Sequence, residues 1–247
     1  MTETIVVWFS CGAASAVAAK LTALQHGDTH NVRIVNNPIK EEHPDNQRFL
    51  KDVEEWVGLP IEFAVNPKRP NCSTEEVWET RKWMSGPLGA PCTMELKKEA
   101  RVHFEQSNKI DWHVLGFTLE EASRSNRFIQ FERSNLLPVL IENGFTKQDC
   151  FDYVAKAGLK LPEMYELGYP NANCIGCVKS ASPTYWNHVR KVHPDVFERR
   201  ATQSREIGTK LVIQKGKRVF LDELDPNLKG YKMKNLKSPE CGIFCEE

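Results

Sequence analysis

Eight cysteines stand in this chain of 247 residues, and their spacing carries its clearest chemical signal. Cys174 and Cys177 form a Cys-x-x-Cys pair in the stretch Asn-Cys-Ile-Gly-Cys. Such a pair serves as a redox dithiol, as half of a zinc site or as half of an iron–sulfur site. Cys92 precedes a predicted helix, and Cys241 and Cys245 form a second pair near the C-terminus. Because thiolate sites are assembled from distant loops, these five cysteines favour a common centre.

The composition restricts the classes of protein to which the chain can belong. Lys+Arg and Asp+Glu both number 33, so the net charge is zero, which argues against indiscriminate nucleic-acid binding. The N-terminus lacks the pattern of a signal peptide, and no apolar run reaches 18 residues, so we expect a cytoplasmic protein without a membrane span. In the cytoplasm, cysteines serve as thiols, ligands or catalysts more often than as disulfides. Cys11, Cys72 and Cys150 lie in no motif and are expected to be small buried apolar residues.

The elements that must position these residues alternate between strand and helix. Short β-rich segments are predicted at 4–10, 31–37, 61–66 and 111–117, with helices at 12–27 and 45–58 between the first of them. This alternation predicts a parallel sheet covered by helices on both faces. Beyond Pro138 the pattern becomes mainly helical, and the tail from Lys215 is typical of strands and loops. We therefore expect an α/β core over 1–140 and a second domain over 141–247 that packs back on it.

The turn after the first strand has the composition of a phosphate-binding loop. It reads Ser-Cys-Gly-Ala-Ala-Ser from Ser10 to Ser15. Small residues at a helix N-terminus let backbone N–H groups approach a phosphate, Ser10 and Ser15 add hydroxyl donors, and Gly12 is expected to make the bend. The candidate nucleotide-binding residues here are Ser10, Gly12, Ala13, Ser15 and, at the end of the second strand, Asn36. The alternative is a tight turn that uses small residues for packing.

A second candidate segment, 115–128, follows the fourth strand. Gly116 and Glu121 are candidate nucleotide-binding residues, and Arg124 and Arg127 are candidate catalytic residues, because arginine binds phosphate or sulfate with two hydrogen bonds. The alternative is a solvated helix start with Glu/Arg pairs three and four residues apart.

In combination, these motifs resemble the PP-loop nucleotide-binding superfamily, and within it the phosphoadenylyl-sulfate (PAPS)/adenylyl-sulfate reductase family. The loop at 10–15 resembles the family's Ser-Gly-Gly-x-Asp-Ser, and 116–124 resembles its Gly-x-x-x-Glu/Gln-x-x-x-Arg. Met164 to Cys177 resembles Leu-Tyr-x-x-Gly-Tyr-x-x-x-Gly-Cys-x-x-Cys, and the tail at 240–244 resembles Glu-Cys-Gly-Leu/Ile-His. The resemblance implies a Rossmann-like sheet of the adenine nucleotide alpha hydrolase type, with a mainly helical C-terminal part and a cysteine-bearing tail.

The resemblance also implies a reductase mechanism. Cys241 matches the tail cysteine that attacks the sulfonyl sulfur of PAPS or adenylyl sulfate, and nearby arginines would favour its thiolate. A thioredoxin-like or other thiol reductant then releases sulfite. In relatives that carry a 4Fe-4S cluster, the ligands match Cys92, Cys174 and Cys177, and Cys245 is the expected fourth ligand, with Cys241 or an exogenous group as alternatives. A homodimer is a further expectation.

The chain departs from the reductase pattern at several positions. Thr93 replaces the second cysteine of a cluster pair, Ala14 the loop aspartate, Thr118 an arginine and Phe244 the tail histidine. Cys-Thr-x-x-x-Lys, from Cys92 to Lys97, is similar to the sulfurtransferase branch, in which ATP adenylates an oxygen of a nucleic acid or nucleotide before sulfur is inserted. The alternatives to the reductase are therefore an ATP-pyrophosphatase sulfurtransferase and a non-catalytic nucleotide-binding module with structural zinc.

Overall fold

A computed structural model describes residues 2–86 and 89–233, so Cys241 and Cys245 lie outside the described residues. The described residues form two compact units. The first comprises 2–38, 44–65 and 100–163, and the second comprises 39–43, 66–86, 89–99 and 164–233. The units do not coincide with the two domains predicted from the sequence, because the segment between the third and fourth strands shares an apolar core with the C-terminal helices.

The first unit contains a parallel sheet, as predicted, and the sheet has five strands. Its strands are β1 (Thr4–Phe9), β2 (Asn31–Asn36), β3 (Ile61–Phe63), β4 (Trp112–Val114) and β5 (Leu136–Leu137). They are arranged in the order β3-β2-β1-β4-β5, which is the doubly wound, Rossmann-like arrangement. The strand order reverses at β1, so the loops that follow β1 and β4 diverge there, where ligands bind in such sheets.

Helices account for about half of the remaining described chain. They are α1 (Ala13–His26), α2 (Asn46–Val57), α3 (Thr74–Arg81), α4 (Pro91–Thr93), α5 (Glu99–Ser107), α6 (Ala122–Phe131), α7 (Val139–Glu142), α8 (Lys147–Lys156), α9 (Glu163–Glu166), α10 (Pro183–Val192) and α11 (Pro194–Ile207). Right-handed connections between parallel strands place α1 and α2 on one face of the sheet and α5 and α6 on the other. No helix among the described residues has the length and apolar character that crossing a membrane requires.

The central strand forms the core of the first unit. Ile5 to Phe9 are at most 2% exposed, as expected for a strand covered on both faces. The alanines of α1 let this helix pack closely against β1, and α7 and α8 pack against α1.

Three details differ from the sequence-based expectations. The strand β5 was not predicted, because two leucines are too short a pattern to separate from the helix that follows. The helix α3 was expected to be irregular, because the sequence of its eight residues is mostly polar. Asp45 precedes α2 as expected, but its carboxylate contacts Arg48 and the Glu163 N–H instead of capping the helix.

The second unit is built on one apolar cluster. It includes residues of α3, α10, α11 and the hairpin of β6 (Val212–Gln214) and β7 (Lys217–Val219). Trp186 lies at its centre, fully buried, and its indole N–H donates to the Ser180 carbonyl at 2.7 Å. The cluster also contains Cys92, Cys174 and Cys177, so these thiols lie within apolar packing.

A buried histidine makes the stability of the first unit dependent on pH. The Trp8 indole N–H donates to Nδ1 of His113 at 3.1 Å, and His113 is 3% exposed. Burial, together with the charges of Arg133 and Arg101, lowers the pKa of His113 to about 4. Protonation would also place a hydrogen on Nδ1, where the ring now accepts from Trp8.

We therefore expect stability to fall as the pH decreases from about 6.5, the ordinary histidine pKa, towards 4. The unfolded chain binds the proton first in this range, and at pH 4.5 the loss from His113 is about 2 kcal/mol. In the control variant His113→Asn, the amide oxygen replaces Nδ1 as acceptor and does not titrate. Urea unfolding at pH 7 and 4.5 measures the difference, and an equal loss in both proteins would contradict the assignment.

Candidate functional site

The turn after β1 forms a compact, hydrogen-bonded loop. The Ser10 N–H donates to Oγ of Ser15 at 3.2 Å, and this hydroxyl donates to the Gly12 carbonyl at 2.9 Å. The bend is made by Cys11, whose φ of 55° lies in the left-handed region, and not by Gly12, whose φ is −104°. Cys11 is 3% exposed and packs inward, whereas Ser10 is exposed. The loop therefore offers the Ser10 hydroxyl to a ligand, whereas Ala13 and Ser15 are buried and the Ser15 hydroxyl is bonded within the loop.

Asn36 and Gly116 shape this loop from two neighbouring strands. The buried Asn36 amide donates to the Phe9 carbonyl at 2.8 Å and lies 3.6 Å from Sγ of Cys11. Gly116 follows β4 and approaches the start of α1 so closely that a Cβ would lie 2.8 Å from the Ser15 nitrogen. The structure thus places these two predicted residues at the turn, where they hold its backbone.

The segment after β4 brings the predicted acidic and basic residues together. The Glu121 carboxylate accepts from Arg124 at 2.8 Å and from the Thr118 N–H at 3.3 Å. Arg124 also stacks on the Phe117 ring, 4.9 Å from its centroid, and Arg127 is exposed. The Glu121–Arg124 contact is a Glu/Arg pair of the kind expected if this segment is a solvated helix start and not a ligand site. Whether Glu121, Arg124 and Arg127 bind a ligand stays a prediction.

The second unit brings the three predicted cysteines into one pocket. Cys92 comes from α4, and Cys174 and Cys177 come from the loop before α10. The other residues of the wall are Ile39, Thr74, Trp78, Lys97 and Val178. Most of this wall is apolar, so the pocket places three thiols in a water-poor surrounding.

The Cys174–Cys177 loop is fixed by packing and by one buried hydroxyl. Gly176 has a φ of 68°, and a Cβ there would lie 3.1 Å from Cγ1 of Val196 on α11. The Cys177 N–H donates to the Tyr185 hydroxyl at 2.7 Å. Burial, and next the negative charge of the Cys177 thiolate, raises the pKa of Tyr185 well above its ordinary value, so the phenol stays protonated. The loop therefore holds its two sulfurs in a defined conformation.

Glu41 connects this loop to α3. Its carboxylate accepts from the Ser73 hydroxyl at 2.6 Å and from the Thr74 N–H at 2.8 Å, a favourable place for a negative charge at a helix start. Its backbone carbonyl accepts from the Ile175 N–H at 3.0 Å. Glu41 thus forms hydrogen bonds with both the start of α3 and the Cys-x-x-Cys loop, two parts of the pocket wall.

A π turn over Met94–Lys98 brings Lys97 to the same pocket as Cys92. Residues five apart in an α-helix point about 140° away from each other, because each residue turns the chain by about 100°. The i to i+5 hydrogen bonding of a π turn brings such residues closer to one side. Arg69 and Arg81 both bind the Glu95 carboxylate and hold this turn. Burial raises the pKa of Glu95, but the hydrogen bonds from Arg69 and Arg81 outweigh it, and the net shift is downward.

The donor set of the pocket, three thiols in a mostly apolar wall, is of the kind that holds an iron–sulfur cluster or zinc. Within residues 2–86 and 89–233, no three His, Cys, Asp or Glu side chains are arranged to hold a single metal ion. In a tetrahedral zinc site the sulfurs lie only about 3.8 Å apart. A four-iron cluster is larger and accepts more widely spaced thiolates. Two residues of the pocket wall, Thr74 and Trp78, each carry a buried polar atom, Oγ1 and Nε1, that has no hydrogen-bond partner among the described residues, which suits a ligand that accepts hydrogen bonds.

Three wall residues were not singled out as site residues from the sequence. Lys97 appeared only as the end of the Cys-Thr-x-x-x-Lys motif, and this motif could have identified it. Thr74 and Trp78 lie in a segment whose sequence predicted no regular element, so no signal pointed to them. The roles of the three cysteines as cluster ligands stay predictions, as do those of Cys241 and Cys245, which lie outside the described residues.

Comparisons with known proteins give remote likenesses among solved structures only. No family model and no curated protein matches the chain. Among solved structures, it is similar to the U34-tRNA thiolase NcsA from Methanococcus maripaludis with its 4Fe-4S cluster. The identity is 13%, the TM-score is 0.44, and the match covers 83% of this chain and 69% of that chain. A likeness at this level carries no argument about function, so the assignment depends on the residues described above.

Proposed function

We propose that the chain is an ATP-pyrophosphatase sulfurtransferase that adenylates an oxygen of a nucleic acid or nucleotide and replaces this oxygen with sulfur. The observation that carries the proposal is the shared pocket of Cys92, Cys174, Cys177 and Lys97. It unites the Cys-Thr-x-x-x-Lys motif with the Cys-x-x-Cys pair, a combination that favours sulfur transfer over sulfate reduction. The reductase nucleophile would be Cys241, which lies outside the described residues.

The first unit supplies groups suited to binding the nucleotide. The first turn of α1 presents N–H groups that have no acceptor within the helix, as at any helix start, and phosphates bind such groups. Ser10 adds an exposed hydroxyl at the same turn, and the Ser15 hydroxyl holds the loop through its bond to the Gly12 carbonyl. In the proposed reaction the acceptor oxygen attacks the α-phosphorus of ATP and pyrophosphate leaves. Hydrosulfide then displaces the adenylated oxygen from the carbon or phosphorus that carries it, and this oxygen leaves as part of AMP.

The second unit supplies groups suited to handling sulfur. Cys92, Cys174 and Cys177 would hold a 4Fe-4S cluster, whose chemistry is to bind and activate sulfur. The apolar wall would exclude water from this sulfur, and the side chain of Lys97, a buried residue of the same wall, would stabilise negative charge on it. Tyr185 keeps the Cys-x-x-Cys backbone in place through its bond to Cys177.

The test compares the products of two reactions under anaerobic conditions. The protein is incubated with ATP, sodium sulfide and bulk tRNA or oligonucleotide DNA, and in parallel with PAPS and a dithiol. We expect AMP and pyrophosphate in equal amounts, sulfur incorporation into the nucleic acid, and no sulfite. Sulfite release from PAPS without pyrophosphate, abolished by Cys241→Ala, would instead establish the reductase. Nucleotide binding without turnover, with one zinc per chain, would favour the non-catalytic module.

A further inference from the structure

We propose that the Thr74 hydroxyl and the Trp78 indole N–H donate hydrogen bonds to sulfur of the iron–sulfur group in the cysteine pocket, as positioning residues that raise its reduction potential. This inference rests on the cluster in the proposed function. It concerns two residues of α3 that lie in the pocket wall without being ligands.

Neither polar atom has a partner in the described protein. Oγ1 of Thr74 and Nε1 of Trp78 are buried and make no hydrogen bond there. Leaving such a group unsatisfied is unfavourable, so buried polar groups are nearly always paired. Both residues line the pocket that contains Cys92, Cys174 and Cys177. Their partner is therefore expected to be an acceptor inside this pocket.

The start of α3 does not need the Thr74 hydroxyl. Ser73 is the N-cap, and its side chain accepts from the Glu76 N–H. The Thr74 N–H is bound by Glu41, and Thr74 is the first residue of the helix, so no carbonyl of a preceding turn can accept from its hydroxyl. The hydroxyl is therefore not used by the helix start, and Thr74 lies in the pocket wall.

The indole of Trp78 is held in position by the side chain of Arg200. Trp78 lies four residues after Thr74, on the same face of α3. The Arg200 guanidinium lies 4.5 Å from the centroid of the indole, is fully buried, and binds Glu75 at 3.1 Å and Gln203 at 2.9 Å. Because an indole nitrogen is only a donor, the group it meets must be an acceptor, and thiolate or sulfide sulfur is the acceptor this pocket provides.

Hydrogen bonds donated to the cluster sulfurs raise the reduction potential of the cluster. Reduction adds negative charge to the cluster, and an N–H or O–H dipole stabilises the reduced form more than the oxidised form. Removing one donor should therefore make reduction harder.

The experiment uses anaerobically purified full-length protein and the variants Thr74→Val, Thr74→Ser and Trp78→Phe. Iron and acid-labile sulfide are measured first, and the potential is then titrated by visible absorbance and electron paramagnetic resonance. We expect Thr74→Val and Trp78→Phe to retain iron. In each variant the equilibrium between oxidised and reduced cluster should favour the oxidised form about tenfold more than in the wild type, which lowers the one-electron reduction potential by about 59 mV. Thr74→Ser should restore the wild-type value, and Trp83→Phe, outside the pocket, should leave it unchanged.

The outcomes separate this inference from the proposed function. Wild-type protein without iron overturns both. Wild-type protein with iron, and potentials unchanged in Thr74→Val and Trp78→Phe, overturns the inference alone. Loss of iron in Thr74→Val that is rescued in Thr74→Ser supports the hydroxyl contact, whereas loss in both variants shows that the side chain only packs there and overturns it.

Discussion

Alanine in place of Cys174 should remove the iron–sulfur cluster and sulfur transfer together. We expect iron and sulfide to fall from about four of each per chain to below about one. Sulfur incorporation should decrease about 100-fold or more, because two thiols in an apolar pocket cannot replace three. Cys177→Ala and Cys92→Ala should behave alike, since all three residues line the same pocket. Metal and sulfide analysis of anaerobically purified protein measures the effect.

Cys150→Ala is the matched control for this prediction. Cys150 is also a fully buried thiol, but it lies on α8 in the first unit. Burial, with the nearby charge of Asp149, raises its pKa to about 12, so it is an inert thiol at neutral pH. Its variant should keep the full iron content, at a modest cost in stability. If Cys174→Ala also keeps its iron, the pocket is not a cluster site.

The fourth ligand of the proposed cluster is tested by the same metal and sulfide analysis, applied to variants of the two tail cysteines. Loss of iron in Cys245→Ala, with iron retained in Cys241→Ala, would identify Cys245 as the ligand. Retention in both variants would indicate an exogenous ligand at an open iron, a result that would favour sulfur transfer.

The sequence predicted the sheet because its strands are short, apolar and separated by clear helical patterns. It failed for β5 and α3, where two leucines and eight largely polar residues leave too little periodicity to interpret. The grouping of Cys92 with the Cys-x-x-Cys pair could be predicted from the sequence, because thiolate sites are assembled from cysteines on distant loops. Its wall was not, because Thr74 and Trp78 reach the pocket only through tertiary packing of α3.

The candidate nucleotide-binding loop after β1 was likewise predicted only in part. Its position followed from the small residues between a strand and a helix. Its geometry did not, since the left-handed residue is Cys11, where the sequence favours the neighbouring glycine. The reason Gly116 must lack a side chain was also not visible in the sequence, because the contact it makes is with α1, about a hundred residues away in the chain.

Gly116→Ala should therefore damage the nucleotide site and the stability of the first unit at once. The new Cβ would lie 2.8 Å from the Ser15 nitrogen, 3.0 Å from its Cα and 3.1 Å from the Ala14 carbonyl carbon. All three are backbone atoms, so no side chain can move aside, and the start of α1 must shift away from β4. We expect a loss of about 2 kcal/mol in unfolding free energy. ATP binding should weaken at least about tenfold, because the N–H groups of this turn lose their alignment.

Gly58→Ala separates this clash from the general effect of substituting a glycine. Gly58 ends α2 in the same unit with a φ of 82°, and no atom lies within 4 Å of the position a Cβ would take. This variant should lose about 1 kcal/mol through backbone strain and bind ATP as the wild type does. Urea unfolding and titration with a fluorescent ATP analogue measure both quantities. Wild-type affinity in Gly116→Ala would show that the ligand does not depend on the turn at the start of α1, and the nucleotide would then have to be sought at another edge of the sheet.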